Sequence, residues 1–426
     1  MSQYEMHTKN LIIGGGLSGL MTAYFLDSQD YLILEKDSSV GGYCRTIPNK
    51  KYIWDYAGHF YHFRTDEFKK LFMSMIKPDE IIEEIKSAKI YYKDKLIDHP
   101  FQSNIHELDK DELIDCLYDL FFKKEKTEYD NFLDMLYGKF GKSITEKFLK
   151  PYNEKLYATD LTKLDKDAMG RFFPYADIES IIKNMKSDKT AYYNDTFLYL
   201  KKGTGYFIDK LYEKIDKSRV QLNCEVLSIN KLQKFVITNS GEKIYYDNLI
   251  NTTPANHFLS YIGGYDNLLK DLSYNKVLVL NLGFDRPSVR YKTEHWVYFP
   301  DKSLNFYRVG FYNNLLGTND LNIYVEIGYP KNAAIDPEKE LVETLDNLQR
   351  VGITTSDTKL VDKSVLIMDP AYVHISTKTD GELSHLFSEL EKDNVYNIGR
   401  YGKWTYSSME DCMIWAKELS SKLNRQ

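Results

Sequence analysis

The stretch Leu11-Ile12-Ile13-Gly14-Gly15-Gly16-Leu17-Ser18-Gly19-Leu20 constrains this chain more than any other. An apolar strand runs into a glycine turn and then into a helix bearing alanine and leucine. Gly14, Gly16 and Gly19 fit G-x-G-x-x-G. The first glycine permits the tight turn, the second lets a pyrophosphate approach the backbone, and the third lets helix pack on strand. The helix N-terminus then offers free N–H groups and a positive dipole end to phosphates. A second apolar run, Tyr31-Leu32-Ile33-Leu34, ends in Glu35, 21 positions after Gly14 (35 − 14). A carboxylate at that spacing suits a ribose hydroxyl. This end of the chain reads as a dinucleotide-binding βαβ unit.

At 426 residues the chain has room for two or three domains. Its net charge of −6 gives no reason to expect nucleic acid or an anionic membrane as partner. The polar segment Met1–Lys9 carries no signal-peptide core, and no apolar run reaches the roughly 20 residues that span a bilayer, so a cytoplasmic location is expected. Cys44, Cys116, Cys224 and Cys412 lack C-x-x-C spacing and suggest neither zinc nor a disulfide framework.

Beyond Glu35 and Lys36, the pair Gly41-Gly42 brings bare backbone back towards the cofactor. Gly58-His59-Phe60-Tyr61-His62 is a small-residue turn delivering two histidines. No third ligand stands nearby, so core or cofactor-contacting imidazoles are expected rather than a metal site. Residues 66–77 read as a helix stopped by Pro78, and residues 90–98 as a hairpin turning at Lys93–Lys95. Residues 103–150 read as a helical block, with Leu113, Leu117, Leu120 and Phe121 as its core stripe. Tyr152 to Arg171 interleaves tyrosines with Lys and Arg, as a face binding anions and rings would. The basic stretch Ile181–Lys189, with Lys183, Lys186 and Lys189, reads as an exposed turn or a mobile loop, by default a solvated face. Three short strands at 220–226, 235–238 and 248–254 return to the first sheet. A second sheet follows, with runs 276–284, 295–299, 305–311 and 322–327, then a helix over 338–348. The last strand, 395–398, leads through Gly399-Arg400 to a helix over 408–423, which we expect to complete the N-terminal fold.

These pieces resemble the FAD-binding framework shared by amine oxidases, protoporphyrinogen oxidases and sugar mutases. Three segments narrow the resemblance to the UDP-galactopyranose mutase family. Gly58–His62 resembles its G-x-H-x-x-H loop, Tyr152-Asn153-Glu154-Lys155-Leu156-Tyr157 its Y-T-x-K-Q-W segment, and the stretch from Gly399-Arg400 to Met409 its G-R-L-x-x-Y-x-Y-x-D-M. Pro100-Phe101-Gln102 resembles its P-F-N. The resemblance is patchy but spread over most of the chain.

It implies an α/β fold with a discontinuous Rossmann-like FAD-binding domain (1–100, 203–265 and 390–426), an inserted helical domain (101–202) and an antiparallel-sheet substrate domain (266–389). FAD would be held by Gly14, Gly16, Ser18, Gly19, Glu35, Lys36, Gly41, Gly42, Val226, Gly399, Arg400 and Met409. Arg308, Tyr372 and Tyr406 would grip the diphosphate of a sugar nucleotide such as UDP-galactose. His59 and His62 would lie at flavin and sugar, and Tyr152, Tyr157 and Trp404 would join the substrate site. The second diphosphate cation is either Arg171 or Lys189. The activity implied is pyranose–furanose interconversion, with N5 of reduced FAD attacking the anomeric carbon. An amine or porphyrinogen oxidase is the alternative. No second dinucleotide fingerprint is present, so NAD(P)H would visit transiently as reductant. A homodimer is the oligomer considered, although no stretch marks an interface. Ser408 stands where the family has Asp, and Tyr157 where it has Trp.

Overall fold

The computed structural model describes residues 6–186 and 196–425. Its seven-stranded sheet takes strands from both ends of the chain and from its middle. Met6–Ile13 lies parallel to both neighbours, Lys243–Asn251 and Tyr31–Leu34. Tyr31–Leu34 is buried at all four positions. An apolar run without alternation is what a parallel strand covered on both faces requires. Val220–Gln221 extends the sheet beyond Tyr31–Leu34, and Val395–Asn397 pairs in parallel with Lys243–Asn251. The strands Val226–Asn230 and Phe235–Thr238 add an antiparallel edge. Helices Leu17–Phe25 and Met409–Leu423 share one core through Met21, Met413 and Ala416, and Ser420 Oγ donates to the Thr22 carbonyl at 3.0 Å.

The second sheet has eight strands. Ser273–Phe284 lies between Leu360–Met368 and Asn322–Pro330, and Arg308–Phe311 and Trp296–Tyr298 follow, all antiparallel. Ala88–Tyr92 then joins Trp296–Tyr298 in parallel and carries Lys95–Asp98 with it. The expected boundary at residue 100 is corrected accordingly. The 88–98 hairpin buries Ile90 and Ile97 in the second sheet, not the first.

The intervening segment packs helices Lys110–Phe121, Phe132–Ile144, Lys150–Tyr157 and Ile178–Asn184. It is not one continuous block, because residues 122–131 leave the helix, and Gly141 breaks Phe132–Ile144 with a φ of 74°. Thr196–Leu200 returns as a strand beside Ile81–Ile85. No helix among the described residues is long and apolar enough to cross a membrane.

Candidate functional site

One cleft of about 710 Å³ is lined by residues of both sheets and by the start of the last helix. At one end the glycine loop shapes it. Gly14, with φ at 100°, donates its N–H to the Leu34 carbonyl at 2.8 Å, and a Cβ there would sit 2.5 Å from Thr252 Oγ1. A Cβ on Gly19 would collide with the Gly14 carbonyl, so only glycine lets helix and strand approach this closely. Gly16 differs: the nearest atom to a Cβ there is Gly42 Cα at 4.0 Å, so its bareness faces the cleft and serves no packing. Gly41 closes the loop by donating to the Gly15 carbonyl at 2.8 Å. The helix Leu17–Phe25 begins at Gly16 with no side-chain cap and no acid in its first turn, leaving its first amides and dipole to an anion.

Glu35 accepts from the Gly15 N–H at 2.7 Å and the Asp37 N–H at 2.9 Å. Burial raises its carboxyl above the ordinary range, against those two backbone bonds. Each oxygen keeps a lone pair for a hydroxyl donor. A glycine cradle, an uncapped helix start and an acceptor carboxylate together fit a dinucleotide.

At the other end, Arg308 and Glu326 face each other across antiparallel strands. They form a bidentate pair, Nη2 to Oε1 at 2.7 Å with a second bond from Nε to Oε2. Glu326 is 3% exposed and Arg308 19%, so the pair is anchored from below and reaches the cleft through the arginine. Arg400 is the second half-buried cation. It donates to the Ser407 carbonyl at 2.8 Å and lies over the rings of Tyr406 at 4.5 Å and Tyr372 at 5.5 Å. Among the described residues no carboxylate pairs with it. Tyr372 and Tyr406 stack at 5.9 Å with 15° between their planes, and Phe172 meets Tyr406 edge-on at 5.0 Å. His59 is pushed down to about 4, by burial first and then by Arg400 and Arg308, so it is neutral at pH 7. Its Nδ1 has no partner. His62 is likewise lowered by burial, with Nδ1 3.2 Å from the Thr196 carbonyl. Among the described residues no cluster of three or more His, Cys, Asp or Glu could hold a metal.

A family profile for NAD(P)-binding Rossmann-like domains matches residues 12–75. Coproporphyrinogen III oxidase of Staphylococcus aureus (strain NCTC 8325 / PS 47) is 25% identical over 322 residues, 65% of this chain and 68% of the oxidase. The crystal structure of reduced UDP-galactopyranose mutase superposes with a TM-score of 0.91 at 22% identity, covering 98% of this chain and 93% of that one. The fold is that of UDP-galactopyranose mutase. Cyclohexylamine oxidase from Brevibacterium oxydans IH-35A shares it more loosely, with a TM-score of 0.69 at 12% identity over 98% and 99% of the two chains.

On this mutase fold the sequence-predicted residues separate. Gly14, Gly16, Ser18, Glu35, Lys36, Gly41, Gly42, Val226, Arg400 and Met409 all line the cleft, as do His59, His62, Arg308, Tyr372 and Tyr406. Gly19 and Gly399 support the wall from behind, and a Cβ on Gly399 would sit 2.5 Å from Ser18 Oγ. Tyr157 lies beneath Tyr372 with ring centroids 6.0 Å apart, and Tyr152 packs on Tyr298 and Tyr307, so both brace the wall without forming it. Trp404 is corrected: its backbone turns through φ 54°, and the ring is buried against Tyr274, off the cleft. Arg171 sits on Asp411 at 2.6 Å. Lys189 lies outside the described residues. Ser408, in place of the family's Asp, caps the last helix: its N–H donates to Asp411 Oδ2 at 2.8 Å and its Oγ accepts from the Asp411 N–H at 3.2 Å. Burial would raise the Asp411 carboxyl, but Arg171 and Ser408 outweigh it and hold it low. Glu410 binds the Arg64 and Thr65 amides at 3.0 and 2.9 Å, tying the histidine loop to that helix. Glu326 and Phe172 were not legible as site residues. The signal for Glu326 was a lone acid inside the apolar run Ile323–Ile327.

Proposed function

We propose that this chain is an FAD-dependent nucleotide-sugar mutase interconverting the pyranose and furanose forms of a UDP-galactose-like substrate. The observation that carries the reading is the pairing, in one cleft, of a dinucleotide cradle with two half-buried arginines and a stacked tyrosine pair. The glycine loop, Glu35 and Val226 would hold FAD, and Met409 would open the helix beside it. Reduced FAD would supply the nucleophile, at N5, for the anomeric carbon. The chain's own residues do the rest.

Two arginines against one carboxylate leave the substrate end with net positive charge once both histidines are neutral. That suits a leaving diphosphate, whose charge grows as the anomeric bond breaks. Arg308 is oriented by Glu326, so its remaining N–H groups point in a fixed direction. The Tyr372 and Tyr406 hydroxyls are neutral donors for phosphate oxygens, and burial holds the Tyr372 hydroxyl protonated far above pH 7. Neutral His59, with an unpartnered Nδ1, can exchange hydrogen bonds with a sugar or cofactor polar atom without adding charge. Phe172 and the tyrosine pair exclude water from the reacting carbon.

A second reading, a porphyrinogen oxidase, is favoured by the coproporphyrinogen III oxidase relative. Arg308 and Arg400 would then meet propionates. The deciding experiment incubates the FAD-loaded protein with UDP-galactopyranose, with and without dithionite. Furanose formed only with reduced flavin supports the mutase. Oxygen consumption with coproporphyrinogen, and no furanose, overturns it.

A further inference from the structure

Lys155 is a cation that the cleft itself does not use. It stands in the helix Lys150–Tyr157 and is half-buried. Its Nζ donates to the carbonyls of Phe299 at 2.9 Å and Asp301 at 2.8 Å, and also to that of Phe306. An ammonium has three N–H groups and no acceptor, so three carbonyls satisfy it fully. Neighbouring Glu154 pairs instead with Lys302 at 2.5 Å, and among the described residues no carboxylate forms an ion pair with Lys155. Burial first, and Arg350 after it, push the ammonium down to about 7, with Asp301 opposing. A charge kept against desolvation is more than packing requires, since an apolar side chain of the same length would fill the space.

The three carbonyls bracket the turn between the strands Trp296–Tyr298 and Arg308–Phe311. The main chain of the same lysine reaches the next strand. A Cβ on Gly328 would sit 2.3 Å from the Lys155 carbonyl, so the helix lies directly on Asn322–Pro330 there. Arg308 stands opposite Glu326, and the same register carried two places further sets Phe306 opposite Gly328. Lys155 therefore clasps both strands about 7 Å from the Arg308–Glu326 pair, its ammonium on one and its carbonyl against the other. Tyr152, one helical turn earlier, packs edge-on against Tyr298 at 5.2 Å and Tyr307 at 6.2 Å. Tyr298 pairs with Arg308 across the strands, and Tyr307 precedes it in the chain.

We infer that Lys155 is a positioning residue for Arg308, fixing the turn that leads into it and so the direction in which its guanidinium meets an anion. The inference rests on the reading above in taking that anion to be the diphosphate. Glu326 aims the guanidinium relative to its own strand, and Lys155 sets the two strands relative to each other. A group that grips an anion loses up to about a hundredfold when it is misplaced by about 1 Å, so such a clasp matters.

The test has two arms. The first needs no substrate: it is the crystal structure of the Lys155→Met protein with its cofactor. The 299–306 turn should draw away from the helix, and the Arg308–Glu326 pair should lose its bidentate geometry. An unmoved Arg308 guanidinium overturns the inference, whatever the ligand proves to be. The second arm measures UDP-galactose affinity by calorimetry in a double-mutant cycle. Lys155→Met should weaken binding about tenfold alone, but less than about twofold beside Arg308→Gln, where the clasp has nothing left to aim. Equal losses in both backgrounds mark a general loss of structure and overturn the inference. Lys155→Gln, which keeps two N–H donors, goes through both arms in parallel and should lose about threefold, so the test stands even if Lys155→Met does not fold. A wild type that does not bind UDP-galactose overturns the mutase reading, and the first arm then decides the role of Lys155 by itself.

Discussion

Four buried or half-buried histidines make the native state sensitive to acid, and one of them allows a clean test. Burial pushes His99 down to about 3, and His59, His295 and His374 to about 4. In the unfolded chain each protonates near 6.5. As pH falls below about 6.5 the unfolded state binds protons that the native state refuses, so stability is lost until the folded values are reached. At pH 5 the loss is about 2 kcal/mol per histidine, since 1.5 pH units at about 1.36 kcal/mol each separate pH 5 from the unfolded value. Four such groups give about 8 kcal/mol, comparable to the whole stability of an ordinary domain. Glu35 and Asp55 act in the opposite sense, because burial raises their carboxyls and acid relieves that cost. The net slope therefore mixes both signs, and a single substitution isolates one contribution. His99 packs on Tyr298 with ring centroids 4.8 Å apart and planes 40° apart, and its Nδ1 lacks a partner. His99→Gln should lose packing equally at all pH values, yet its stability should fall between pH 7 and pH 5 by about 2 kcal/mol less than the wild type's. Urea denaturation of both proteins at pH 7, 6 and 5 measures this. Parallel stability curves would refute the buried neutral histidine.

Four further outcomes follow from the cleft. Gly19→Ala should destabilise the ligand-free protein by about 3 kcal/mol through collision with the Gly14 carbonyl. Gly16→Ala should leave its melting temperature unchanged while weakening FAD at least about tenfold, read by flavin fluorescence titration. Ser408→Ala should cost about 1 kcal/mol in thermal denaturation by removing the cap, and Ser408→Asp should cost at least as much, because it replaces the hydroxyl that donates to Asp411 Oδ2 at 2.8 Å with a second carboxylate. Glu326→Gln strips Arg308 of its counter-charge and should cost about 3 kcal/mol without ligand. Added UDP should then raise the melting temperature more in this variant than in the wild type, and an equal shift would argue that Arg308 does not meet the diphosphate.

Features whose cause is local were legible in the sequence. The glycine loop declares itself because backbone approach dictates the residue type, and Glu35 because it ends the next strand. Features whose cause is register were not. Glu326 meets Arg308 only because Asn322–Pro330 lies antiparallel to Arg308–Phe311, and nothing in either segment encodes that alignment. The 88–98 hairpin was readable as a hairpin, but its sheet is fixed by Trp296–Tyr298, some two hundred residues later. Trp404 looked like a ring-binding aromatic, and a left-handed backbone turns it inward. Helix Thr377–Lys392 has little sequence signal because it carries the poor helix former Gly381 inside it and buries only Thr379, Leu383 and Leu390. Phe121 fitted the core period of its helix, yet the inner face was already filled by Cys116 and Leu120.

The pairing of Val395–Asn397 with Lys243–Asn251, and the seat of Gly399 on Ser18, carry a consequence for synthesis. The turn that closes over the loop's helix is translated 380 residues after the glycine loop itself (399 − 19). A nascent chain on the ribosome holds the opening half of the cradle with its back wall missing. A chain cut before residue 395 should therefore take up no dinucleotide, although its glycine loop is intact.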